Sequence, residues 1–189
     1  MRSDIKNREG FDENRLEAIQ TTLAGIMFGL TLGAFLYKSQ ELSGIQDYVF
    51  YFTSFLIMIR LWFRYVSFFG KLLPSKTMYE YSLDFIIALS VGYGVMSSQS
   101  LTWFLVYGFV FFLGGLKYWS VIKYSKGKVN KYLSSRIWLE LAIVFIFAIF
   151  YILSKKYGIG LYLGSAIAFL GMLYIFIEGR IGFLTRYDF

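Results

Sequence analysis

Apolar residues occur in runs of about 20, separated by short clusters rich in Lys and Arg. A half-exposed helix repeats its apolar positions every third or fourth residue and a half-buried strand alternates, and neither pattern describes these runs. A bilayer core of about 30 Å takes roughly 20 apolar residues of helix, and six such windows are present. They run from Ala18 to Tyr37, Asp47 to Phe69, Tyr79 to Ser97, Leu101 to Ile122, Ile137 to Leu153 and Gly158 to Ile177. Strands rarely exceed about ten residues, and a soluble helix keeps one polar face. The expected class is an all-α integral membrane protein with six transmembrane helices.

The cations orient it, because Lys and Arg accumulate in short cytoplasmic loops. With the N-terminus inside, sixteen of the nineteen Lys and Arg residues fall on the inner side, and only Lys38, Lys155 and Lys156 fall outside. Both termini are therefore expected in the cytoplasm. The expected layout is a cytoplasmic N-terminal segment over 1–17, a six-helix membrane domain over 18–179 and a cytoplasmic tail over 180–189. Met1 to Glu17 is polar and lacks the apolar core of a secretory signal, so the first helix is expected to be retained. The stretch from Tyr118 to Arg136 is expected to be the one long loop, a basic linker hugging the lipid.

Composition narrows the chemistry. The chain has 57% hydrophobic and 16% charged residues, with neither cysteine nor histidine. That excludes disulfides, thiol nucleophiles, imidazole acid/base catalysis, haem ligation and His/Cys zinc sites. No enzyme activity, cofactor or metal site is expected. The formal net charge of +7 is accounted for by a basic inner face beside anionic lipid, so no nucleic-acid partner is needed.

Ionisable residues inside lipid-spanning segments cost several kcal/mol on insertion scales and are candidates for function. Arg60 and Arg64 are four apart on the second helix, and Glu80 and Asp84 repeat that spacing at the start of the third. A short inner turn through Pro74 is expected to bring the pairs together as an inner charge cluster, either an ion-pair staple or the mouth of an ion path. Glu140 and Glu178 also fall in the inner leaflet, and no carboxylate falls in the outer half. Trp62, beside the two arginines, needs an acceptor or a cation on its ring. Tyr48, Tyr51, Tyr65, Tyr118, Tyr124, Tyr151 and Tyr187 fall near the interfaces as belt anchors.

On the first helix, Gly25, Gly29 and Gly33 recur at spacing four, with Ala18 and Thr22 extending the small-residue face. Such a face lets backbones approach closely as a packing seam. It also leaves room around an axis, where Ile26 or Leu30 would form a constriction that gates by dewetting. The candidate pore-lining set is Thr22, Ile26, Gly29, Leu30 and Gly33.

Arg15-Leu16-Glu17-Ala18 before a small-rich apolar helix resembles the opening of the endolysosomal-type potassium channels and their single-repeat prokaryotic relatives, whose first helix begins Arg-x-x-x-Phe-Ser-Asp. Phe52-Thr53-Ser54-Phe55 through Trp62 and Arg64 is similar to that family's Ser-Phe…Trp segment, and Asp84 falls near its third-helix Asn. The resemblance covers roughly residues 15 to 97. At the place of Phe-Ser-Asp this chain reads Ile19-Gln20-Thr21. The resemblance implies a tetramer whose first helices line a cation pore, with Ile26 at the constriction and Arg15 and Trp62 in structural roles.

The leading expectation is thus a homo-oligomeric, potassium-type cation channel in the plasma membrane of a prokaryote, with the bilayer and a monovalent cation as partners. Alternatives are a non-catalytic assembly subunit of a membrane complex and, third, a small-solute carrier component.

Overall fold

The computed structural model describes residues 18, 22, 25–64, 78–98, 100–123, 127–158, 164, 166, 169–171 and 173, and helix is the only regular structure among them. Helix α1 covers 25–39, α2 Ile45–Arg64, α3 Met78–Met96, α4 Thr102–Ile122 and α5 Gly127–Tyr157. Backbone at 164, 166, 169–171 and 173 is helical again. Thr102–Ile122 and the Asn130–Tyr157 part of α5 are long and apolar enough to cross a membrane.

The helix ends follow local chemistry. Before α2, the Asp47 carboxylate accepts hydrogen bonds from the Ser43 and Gly44 backbone N–H groups at 3.0 and 3.2 Å and from the Ser43 hydroxyl at 3.0 Å. It reaches back as the acidic member of a capping box does, satisfying amides that the helix cannot. Asp47 is buried while doing so, so a carboxylate does lie inside the bundle at the end expected to hold none. α5 stops at Gly158, whose φ of +67° suits glycine, and its N–H donates to the Ser154 carbonyl at 3.1 Å.

α4 is the central helix. Its residues Trp103, Phe104, Tyr107, Val110, Phe111 and Tyr118 are all buried, and its largest interfaces are with α5 and then α3. Glycines bring α5 close: Gly108 lies against Phe147, and Gly114 and Gly115 lie against Glu140. α3 crosses α4 so tightly that a Cβ on Gly94 would stand 2.7 Å from the Tyr107 ring. α2 adds Phe50 edge-on to Trp103 at 4.8 Å and a Ser54 hydroxyl that accepts from the Trp103 indole N–H at 3.0 Å. Beyond Gly158, Gly164 returns to within reach of Phe104 and Phe150.

Two expectations are corrected here. The stretch from Tyr118 to Arg136 is not a long loop: α4 continues to Ile122 and α5 begins at Gly127. Tyr118, Val121 and Leu133 form a small buried cluster that holds this hairpin together, which is why polar residues such as Asn130 and Lys131 remain helical there. Tyr118 is consequently a buried packing residue instead of an interfacial anchor.

Candidate functional site

α1 has two unlike faces. Met27, Thr31, Phe35 and Lys38, spaced three or four apart, are buried against the bundle. Thr31 donates its hydroxyl proton to the Met27 carbonyl at 2.8 Å and lies 3.5 Å from the Ala88 carbonyl of α3. Phe35 stands edge-on to Tyr51 and Phe55 of α2 at 5.3 and 5.5 Å. Phe28 meets Trp62 at 4.4 Å, so an aromatic ring is what lies close against this indole.

The opposite face carries the candidate pore residues, and the fold brings them together on the outside of the chain. Thr22, Gly29 and Gly33 are exposed, as are Ile26 and Leu30 at 55% and 57%. A Cβ placed on Gly25, Gly29 or Gly33 would meet nothing within 4 Å. Among the described residues, then, no helix packs on the glycine face. Beside it runs a shallow groove between α1 and α3, floored by Ala34, Ala88 and Gly92. Arg15 lies outside the described residues.

The charged residues sort differently from the expected cluster. At the end of the bundle that holds the α2 C-terminus and the α3 N-terminus, Arg60, Glu80, Asp84, Lys117 and Glu140 are all buried. Arg60 pairs with Glu140 of α5 at 2.9 Å, and its guanidinium lies over the Phe111 ring at 5.3 Å. Lys117 of α4 pairs with Asp84 at 2.6 Å and donates to the Glu80 carbonyl at 3.2 Å. Arg64 closes α2, with its side chain outside the described residues, as are Pro74 and Glu178.

Each pair joins two helices, α2 to α5 and α3 to α4. Two cations and two carboxylates removed from water need partners at this range, because the desolvation of each ion costs several kcal/mol. Such an arrangement clamps the bundle at one end, and it lies inside the chain, away from the bare α1 face. Lys117 and Glu140 are the members that reasoning from spacing missed. The available signal was a lysine well inside the fourth apolar run.

At the other end Lys38 pairs with Glu41 at 2.9 Å on the α1 terminus. Among the described residues no group of three or more acidic residues is placed to hold a metal ion.

No protein-family model, curated protein or solved structure matches the chain.

Proposed function

We propose that the chain is a homo-oligomeric, cation-conducting channel of six membrane helices with both termini cytoplasmic, in the plasma membrane of a prokaryote. In this reading the bare faces of α1 from several copies surround the path. Ile26 and Leu30 form the narrow point, and Thr22 supplies hydroxyls on the cytoplasmic side. The resemblance of residues 15 to 97 to single-repeat potassium channels makes the assembly a tetramer and potassium the expected ion.

The observation that carries the reading is the two-faced α1. A glycine-rich face in lipid exposes backbone and forgoes van der Waals contact, which is the main force between membrane helices. Another protein surface approaching closely removes that deficit. The bundle interior supports a path between copies over one through a copy, since Trp103, Phe104, Tyr107 and Phe111 fill the centre. The buried pairs Arg60–Glu140 and Lys117–Asp84 serve here as braces that hold each subunit rigid on its cytoplasmic side.

The bare face also favours a second reading, a non-catalytic assembly subunit that packs this seam on a different membrane protein. Both are tested by reconstituting the purified chain in vesicles, measuring potassium flux, and determining its mass in a bilayer. The channel predicts an oligomer with flux above the lipid baseline. It also predicts that Ile26→Asn, which wets the constriction, raises flux by at least several-fold. A monomer whose Ile26→Asn variant stays at the baseline sinks the channel, and co-purification with an unlike membrane protein supports the assembly subunit.

A further inference from the structure

α5 is longer than a bilayer requires. Its 31 residues span about 46 Å, against a hydrocarbon core of about 30 Å. From Trp138 to Tyr157 the rise is about 28 Å, so Trp138 marks one interface, and Tyr157 with Lys155 and Lys156 marks the other. The turns before Trp138 project beyond the hydrocarbon and are held to α4 by the buried Tyr118, Val121 and Leu133.

Along the outer side of this helix Lys131, Trp138, Phe145 and Ile152 recur every seven residues and so share one face. α4 occupies the opposite side, through Glu140 and Phe147. Lys131 is exposed, and Trp138, Phe145 and Ile152 are 72%, 68% and 59% exposed. Read from the projecting end to the bilayer midplane, the stripe runs cation, indole, apolar ring. That is the order of charge and polarity along a phospholipid from headgroup to acyl chain. The helix register that sets Gly114 and Gly115 against Glu140 also places exposed Trp119 of α4 level with Ser135, at the same interface.

The sign of the headgroup follows from the sequence. Between Asp84 and Glu140 there are six Lys and Arg residues, of which, among the described residues, only Lys117 is buried in an ion pair, and not one Asp or Glu. Asp84 is already bound to Lys117, and Glu140 to Arg60. This stretch therefore offers the interface a one-signed surface, and an acidic soluble partner would not account for Trp138, Phe145 and Ile152 continuing the stripe into the apolar zone.

We infer that the headgroup end of the α5 stripe is a binding site for a phospholipid with an anionic headgroup, Lys131 receiving the phosphate, Trp138 packing at the glycerol level, and Phe145, about 10 Å deeper, lying along a chain. The inference rests on α5 crossing a membrane and is independent of conduction.

The full chain in phosphatidylcholine vesicles tests it, using trace brominated phosphatidylglycerol or brominated phosphatidylcholine as the tryptophan quencher. The part of the signal lost in Trp138→Phe belongs to this site. The expected result is that phosphatidylglycerol quenches it with about fivefold higher affinity than phosphatidylcholine, and that Lys131→Gln removes this preference. Arg136 lies over the Tyr132 ring at 5.0 Å and on the α4 side of α5. Arg136→Gln should therefore leave the preference within about twofold. Equal quenching by the two lipids overturns the site, and so does an equal loss in both variants, which would mark a diffuse surface potential. Quenching by neither lipid overturns the membrane reading along with it.

Discussion

At the residue scale, the buried ions show how little a sequence spacing says about partners. Arg60 and Asp84 both sit where their apolar windows placed them, yet they bind Glu140 and Lys117. A four-residue spacing establishes that two side chains share a helix face, but it does not say which neighbouring helix that face meets. Here Gly114 and Gly115 let Glu140 approach α4 closely, within reach of Arg60 on α2. The consequence is measurable. Glu140→Gln leaves Arg60 buried without its counter-charge and should destabilise the detergent-solubilised protein by about 3 kcal/mol in chemical denaturation, with Arg60→Met alone similar. The double variant Arg60→Met/Glu140→Leu, which replaces the pair with apolar bulk, should recover most of that loss. Additive losses in the double variant would show that the pair is not coupled.

At the element scale, the apolar windows located α3 and α4 to within a residue: Tyr79 to Ser97 became Met78–Met96, and Leu101 to Ile122 became Thr102–Ile122. Their limits were legible because a long apolar helix is bounded by where the chain turns polar. α5 was legible only in its apolar part, since its first turns are polar and hold as helix through Leu133 packing on Tyr118 and Val121, a tertiary effect invisible to a local window. The α3–α4 seam was likewise hidden, because Gly94 is an ordinary residue until Tyr107 is placed against it. Adding one methyl there forces either the ring or the α3 backbone to move inside a filled core. Gly94→Ala should cost about 1 to 3 kcal/mol, and the same change in a Tyr107→Leu background should cost clearly less. Gly94→Ala at wild-type stability would mean that the two helices cross with more room than the ring distance implies.

At the scale of the whole molecule, the unanswered surface is the glycine face of α1. The pattern of Gly25, Gly29 and Gly33 was readable as a close-contact face, but whether it turned inward or outward depends on Met27, Thr31 and Phe35 claiming the other side. Among the described residues none packs on the glycine face, so a second copy of the chain is the proposed source of the contact. The absence of native cysteine makes this directly testable, because any thiol introduced is the sole one. In an oligomer assembled through α1, Gly29→Cys places identical thiols on facing backbones, and mild oxidation in a bilayer should yield covalent dimers where Cα atoms of two copies come within about 7 Å. Phe145→Cys, on the exposed stripe of α5, should remain monomeric under the same treatment and gives the rate of random collision. Faster cross-linking at Gly29 than at Phe145 supports assembly through α1, and the ladder of products at Gly25, Gly29 and Gly33 would report which depth lies nearest the axis. Equal rates at Gly29 and Phe145 would leave the glycine face in lipid and remove the basis for a path between copies.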